Sequence, residues 1–597
     1  MRLPELYELK TSRDLIDAFG GYNHNPRISE AEFFDMKNMS SSQYPILAPR
    51  GKRGIYASPE SPQGMIAKDT LCYVDGSAMV VDGYRVEMGL STDEDMCPKT
   101  LVSMGAYIII LPDKMYLNTA DLTDFGNIEA RFDTITPVRF SLCKIDGAEY
   151  GVQATMSPPE TPENQELWID ASTFPHTLKQ WSESSSMWVS IGTTYIKISS
   201  EGSGLGKQFE KYDGVTISGL KDTTIISNTT GQPIGEDANL AQIDGSFIIW
   251  EKGDDYIVIV GMLDQTMTIQ NSITIKREMP TMDFIIESEN RLWGCHYGVN
   301  KNGDVVNEIY ASKLGDFKNW NCFMGISTDS YAASVGTDGV FTGAVTHLGY
   351  PLFFKEKCMH KVFGNYPSNY QIQTTACRGV QRGSEKSLAI VNEVLYYKST
   401  MAVCAYDGSL PTEISSALGE NLYYDAVGCA HGNKYYINMK DRGGKWNFFV
   451  YDTAKGMWHR EDDVRVQSFC SCRDELYFID ADKGTIRTVY SSADTDEKAV
   501  KWMAESGVIG TSSPDKKYVS RITVRMSLDI GARVSFFTQY DSAGEWEHLC
   551  TMSGTSLRSF SVPIRPKRCD HFRLRIEGEG DGKIYSISKT IEEGSDM

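Results

Sequence analysis

The sequence predicts a mostly β protein: a β-propeller of about seven blades, 6 to 8, with an inserted small β domain and a C-terminal β-sandwich. Three observations predict it. Short aromatic and aliphatic runs recur about every 40 residues. The chain of 597 residues holds 31 Tyr, 24 Phe and 10 Trp, side chains that favour a pleated, half-buried surface. The recurring unit also lacks the 3.6-residue apolar periodicity that a helical repeat of this length requires.

The repeat is clearest in Leu395-Tyr396-Tyr397, Tyr435-Tyr436-Ile437 and Leu476-Tyr477-Phe478, which stand 40 and 41 residues apart. Upstream, Leu352-Phe353-Phe354, Leu292-Trp293, Phe247-Ile248-Ile249, Tyr107-Ile108-Ile109 and Leu71-Cys72-Tyr73 extend the series. Within one unit, Cys429 to Ile437 reads as a turn and strand, Phe448-Phe449-Val450-Tyr451-Asp452 as the next strand, and Met457-Trp458 as the start of another. Large aromatics such as Tyr451 and Trp458 fit the stacking of blade upon blade better than a ligand site.

The repeats and the breaks between them divide the chain. Residues 1–60 form an extended N-terminal arm, 61–120 the first blades, 121–236 an inserted β-rich lobe, 237–499 the remaining blades, and 500–597 the sandwich. The lobe follows from the gap between Tyr107 and Phe247, which is too long for one blade. It carries Trp168, Trp181 and Trp188 in strand-like runs, positions from which tryptophan stacks on the apolar faces of sugars. In the C-terminal part, Ser520 to Met526 and His571 to Ile576 alternate apolar with polar or basic residues. Arg565, Lys567, Arg568, Arg573 and Arg575 make a basic edge there, which reads first as a solvated strand face and alternatively as a surface for an acidic neighbour.

Composition narrows the function. Lys and Arg total 59 against 79 Asp and Glu, a formal charge of −20, which disfavours a protein that grips phosphate backbones and equally suits a wall past which DNA slides or a large protein kept in solution by its charge. Thirteen cysteines, an odd number with no CxxC pair, fit a reducing folding compartment. No apolar run approaches the ~18 residues of a membrane span, and Met1-Arg2-Leu3-Pro4-Glu5 has no signal-peptide apolar core. The sequence therefore predicts no membrane insertion and no export by signal peptide.

Chemistry-bearing patterns are sparse. The nine histidines stand in no HExxH or paired His/Cys spacing, and Cys295-His296 and Cys358 with His360 would need further ligands from elsewhere. No nucleophile elbow, P-loop or dinucleotide fingerprint occurs in a strand-to-helix context. Glu461-Asp462-Asp463 reads as a solvated turn. The expectation is no enzyme, no cofactor and no metal, with a carboxylate-pair glycan hydrolase on a propeller as the remaining enzymatic alternative.

The arm is the most specific stretch. Phe19-Gly20-Gly21-Tyr22-Asn23-His24-Asn25-Pro26 is followed by Phe34-Asp35-Met36-Lys37-Asn38-Met39 and Leu47-Ala48-Pro49-Arg50-Gly51. The glycines permit backbone angles closed to other residues, and the prolines keep the chain out of helix. With Glu289 to Trp293, Ile309 to Asp316, and Gly349 to Glu356 leading to Asp407-Gly408, this arm resembles phage tail nozzle and hub proteins of the type that stabilises packaged DNA. The resemblance implies a virion structural protein, made in the host cytoplasm, that forms a ring of six copies with a central channel for genomic DNA. Its neighbours would be tail adaptor, tube or fibre proteins, and Gly20, Gly21, Pro26, Asn38, Pro49, Arg50 and Gly51 would form the assembly arm, free to act outside its own core. The alternative is a distal tail adhesin that binds host cell-wall glycans through Trp168, Trp181 and Trp188.

Overall fold

The structure, a computed structural model, describes residues 11–152, 154–172, 175–220, 225–227, 233–235, 242–299, 303–490, 495–511 and 516–593. Its regular structure is almost entirely β, with short 3-10 turns and no α-helix among the described residues. No helix there is long and apolar enough to cross a membrane. The chain divides into two units, one of residues 1–101, 339–361 and 372–597, the other of residues 102–338 and 362–371.

The fold is of the β-propeller class, and among the described residues seven four-stranded sheets are its blades, two of them chiefly in the second unit. They occupy 62–87, 100–127, 284–334, 343–376, 389–413, 423–460, and 466–488 completed by Gly54–Ala57. Leu71, Tyr107, Leu292, Leu352, Leu395, Tyr435 and Leu476 all lie in the second strand of their blades. That strand is covered on both faces, which is why it reads as an unbroken apolar run and not as an alternation. Ile108, Ile109 and Ile110 are fully buried. Neighbouring blades share cores: Leu352 and Phe354 cluster with Leu395 and Tyr397, and Tyr436 and Phe448 with Leu476 and Phe478.

The last blade is completed from the N-terminal side. Gly54–Ala57 pairs antiparallel with Thr485–Thr488, Gly54 opposite Thr488 and Ile55 opposite Arg487. Residues 54–57 therefore belong to the propeller, although their surroundings in the sequence are those of the arm.

The inserted lobe belongs to the second unit and is longer than the repeat spacing suggests. Its strands run from Ala130–Asp133 to Thr274–Arg277, so the 121–236 boundary moves at both ends. Phe247-Ile248-Ile249 is not a blade strand: Gly245–Ile248 pairs with Gly214–Ser218 inside the lobe. An apolar triplet after a turn has the same form in a blade and in a packed two-sheet lobe, so the pattern could not separate them. A four-stranded and a seven-stranded sheet enclose Phe140, Ile196, Ile198, Val215, Ile217, Ile257 and Ile275. A further four-stranded sheet holds Ala154–Thr155, Leu167–Asp170, Thr177–Ser182 and Met187–Ser190.

The C-terminal sandwich is built on one long hairpin, Lys517–Tyr540 with Glu547–Val562. The first half of Lys517–Tyr540 pairs with Gly582–Glu593 and its second half with Phe572–Glu579. The register breaks between Leu528 and Arg533, where Ile530 stands fully exposed. Val519, Ile522, Val524 and Met526 from one half share a core with Val534 and Phe536 from the other and with Leu574 and Ile576 of Phe572–Glu579. The sandwich is not confined to 500–597, because Thr11–Ile16 pairs with Gly582–Glu593 and Phe33–Lys37 with Lys501–Ser506. Its basic edge is partly neutralised from within: Arg573 and Arg575 reach Glu505 at 3.1 and 2.6 Å.

Candidate functional site

The arm is part of its own chain's interior, which corrects the expectation that it is free to act outside that core. Phe19, Tyr22, Phe33, Met36, Met39 and Leu47 are buried in one cluster with Tyr435, Phe449 and Trp458 of the sixth blade and with the sandwich core. Burial of six large apolar side chains outweighs the freedom an extended segment would otherwise keep. The Tyr22 N–H donates to the carbonyl of Trp458 at 2.6 Å and the His24 N–H to that of Ala417 at 2.8 Å.

Gly20 and Gly21 serve this docking, but not through unusual backbone angles, since neither has a positive φ. They permit close approach. A Cβ on Gly21 would collide with the Trp458 carbonyl oxygen, and one on Gly20 would stand 2.8 Å from Glu32 Cγ. Pro26 is exposed at a bend. The residue with left-handed backbone is Asn38, at φ 56°, a conformation asparagine tolerates better than most.

Asn38 is a junction. Its N–H donates to the Glu461 carbonyl at 2.8 Å, its Nδ2 to the Lys501 carbonyl at 2.7 Å, and its Oδ1 accepts from Arg50 Nε at 2.9 Å. The end of the sixth blade, the sandwich and the arm therefore meet on one residue, the blade through its main chain and the other two through its side chain. Pro49 pairs with Met39 across a two-strand ladder, and Gly51 lies against Tyr490.

Arg50 leads into a buried ion cluster. Its guanidinium grips Glu497 with both terminal nitrogens, at 2.8 and 3.0 Å. Arg53 donates to Glu461 at 2.7 Å and to Asp462 at 2.6 Å, with its guanidinium 5.2 Å from the ring centres of both Phe448 and Phe478. Tyr490 Oη donates to the other oxygen of Glu461, which is fully buried. Two bidentate arginines thus answer three carboxylates, the arrangement a buried ionic group requires. Burial alone would lower the Arg53 pKa, but Asp462 and Glu461 raise it overall. Asp462 and Glu497 stay below the ordinary carboxylate range: burial pushes each up, and Arg53 and Arg50 more than reverse it.

This cluster overturns the reading of Glu461 and Asp462 as part of a solvated turn, while Asp463 is exposed as that reading expects. The usable signal was the pair Arg50 and Arg53 in an acidic chain, together with three consecutive acids that needed partners. Beside the cluster lies a cleft of about 500 Å³ lined by Asp462, Asp480, Asp482, Arg487, Asp496 and Glu497.

The three lobe tryptophans do come together. Trp168 is opposite Lys179, and Trp181 is opposite Trp188, on one face of the small sheet. Trp188 meets Trp168 and Trp181 edge to face, with ring centres 5.4 and 5.5 Å apart. Trp168 is buried and its Nε1 donates to Thr155 Oγ1 at 2.9 Å, while Trp181 and Trp188 are half-exposed. Lys179 pairs with Asp170 at 2.7 Å on the same face.

All thirteen cysteines are thiols. Cys358 Sγ is 4.0 Å from His360 Nε2, and burial, with Lys355 nearby, brings the His360 pKa down to about 4. Among the described residues no group of three or more His, Cys, Asp or Glu is placed to hold a metal ion.

No protein family model and no curated protein matches the sequence. Solved structures do match. An exo-β-1,3-galactanase variant from Phanerochaete chrysosporium with β-1,3-galactotriose covers 51% of this chain and 94% of its own, at 9% identity and a TM-score of 0.21. A glycoside hydrolase family 43 arabinoxylan arabinofuranohydrolase from Bacillus subtilis with cellotetraose also covers 51% and 94%, at 9% identity and a TM-score of 0.16. These matches correct the expectation that the chain is no enzyme: the matched proteins are glycoside hydrolases, and enzymatic function is not set aside. At these scores the likeness gives no substrate and no catalytic residue.

Proposed function

We propose that the protein is a structural subunit of a phage tail, a nozzle or hub that forms a ring through which genomic DNA passes. The observation that carries this reading is the continuous tie made by residues 11–57. They give two strands to the sandwich, cross the sixth blade, and end as the closing strand of the seventh. Pulling the sandwich from these blades means stripping strand ladders and the Arg50/Arg53 cluster together. That is the mechanical coupling a component under the pressure of packaged DNA requires. The charge of −20 supports passage of DNA without adhesion. Partners on this reading are further copies of the chain and adjoining adaptor, tube or fibre proteins, and the site of action is the virion.

Native mass spectrometry and electron microscopy of the purified full chain, alone and with its tail adaptor, test the reading. Closed rings are expected. A chain that stays monomeric in both settings overturns it.

A second reading rests on the lobe: half-exposed Trp181 and Trp188, with Lys179 and Asp170 on the same sheet face, fit a glycan-binding surface of an adhesin. A glycan array probed with the full chain and with Trp181→Ala tests it. Loss of binding in the variant is expected, and equal signal from both contradicts it.

A further inference from the structure

We propose that copies of this chain join edge to edge through the sandwich, strand Thr11–Ile16 of one copy adding to strand Glu547–Val562 of the next. The proposal rests on the ring reading above and supplies its subunit contact.

The sandwich layer that carries these strands runs in the order Thr11–Ile16, Gly582–Glu593, the first half of Lys517–Tyr540, and the last part of Glu547–Val562. Both outer strands have a sheet neighbour on one side only among the described residues. The other layer is managed differently: the edge strand Phe33–Lys37 is covered by the arm, where Phe33 N–H donates to Gly21 and Asn23 N–H to Phe33. Exposed edges are templates for strand addition unless something blocks them, and neither outer strand of the first layer contains proline.

Polarity and side chains fit the two edges to each other. Every neighbouring pair in this layer is antiparallel, so Thr11–Ile16 of a second copy continues the alternation beside Glu547–Val562. Asp14 lies opposite Lys589 and Arg558 opposite Met526, which puts both on the face of the layer turned toward the core. A register that sets Asp14 against Arg558 also sets Leu15 against Leu557, on the outer face, where these leucines are 62% and 45% exposed. A slip of one residue would bring side chains from opposite faces together. One edge meeting a different edge is a head-to-tail contact, which closes into a ring when the rotation allows.

The test uses the full chain and follows assembly against concentration by native mass spectrometry and electron microscopy. Asp14→Arg and Arg558→Asp each should raise the concentration for half-assembly about tenfold, and the double variant should return it to within about threefold. Leu15→Cys/Leu557→Cys should give a disulfide-linked ladder under mild oxidation that neither single variant gives. Circular dichroism like that of the unsubstituted chain confirms folding. Rings that form in every variant with no ladder overturn the edge contact and leave the ring reading standing. A ladder that grows without closing supports the contact and overturns the ring, and monomers throughout overturn both.

Discussion

The N–H of Tyr22 donates to the carbonyl of Trp458 at 2.6 Å, and the residue before it, Gly21, is what lets the two main chains come so close. A Cβ at Gly21 would occupy the space of the Trp458 carbonyl oxygen. Gly21→Ala is therefore expected to cost about 2–4 kcal/mol, through the lost hydrogen bond and the displaced arm. A Cβ at Gly20 would meet Glu32 Cγ at 2.8 Å and the Ala31 carbonyl oxygen at 3.1 Å, looser contacts than the one with the Trp458 carbonyl oxygen at Gly21, so Gly20→Ala is expected to cost less. Thermal melts of the two variants check the order.

Arg53→Met removes the nearer of the two guanidinium groups beside the fully buried Glu461, leaving Arg50 at 3.7 Å. The expected loss is about 3 kcal/mol, because a buried carboxylate is left with only its longer ion pair to Arg50 and the Tyr490 hydrogen bond. Arg53→Lys is expected to recover little of it, since one ammonium cannot reach Glu461 and Asp462 as a planar fork does. Chemical denaturation compares the pair.

Acid should destabilise the protein in two stages. Burial, with Lys434 nearby, holds the His459 pKa at about 3, and burial with Lys355 holds that of His360 at about 4. Between these values and the ordinary ~6.5, the unfolded chain takes up protons that the folded chain does not, so stability falls as pH drops below about 6.5. Asp462 and Glu497, with lowered pKa values, add stability above the ordinary carboxylate range that is lost as pH falls through it. Melting temperature measured from pH 8 to pH 4 should decline first near 6.5, and His459→Asn should flatten that first step.

Removing residues 1–50 should do more than block assembly. It takes two strands from the sandwich and exposes the core that Phe19, Phe33, Met36 and Leu47 cover. The expected outcome is an aggregating chain. A soluble protein with an unchanged melting profile would mean that the arm does not hold sandwich and blades together.

In the lobe, Trp168→Ala should destabilise by about 3 kcal/mol, since the ring is buried and its Nε1 is bonded to Thr155. Trp181→Ala, at a half-exposed site, should cost less. Melts of the full chain separate the two.

The propeller was legible because its second strands are buried on both faces, which prints an apolar triplet such as Leu476-Tyr477-Phe478 at each repeat. Phe247 shows the limit of that signal, since a lobe strand prints the same triplet. The sandwich was legible from its alternation, but its strands Thr11–Ile16 and Phe33–Lys37 lie more than 450 residues from their partners, and local pattern carries no pairing at that distance. The ion cluster was hidden for the same reason: Arg53 and Glu461 are 408 residues apart. The glycine pair stands out in the sequence, but its cause is the approach of Trp458, which only the fold reveals.

The most direct test of the proposed ring is an electron-microscopy reconstruction of phage particles released from cells that make this chain. A closed ring of copies around a central channel is expected, with strand Thr11–Ile16 of each copy beside Glu547–Val562 of its neighbour. A single copy in the tail, or the chain's absence from the particle, would refute the ring.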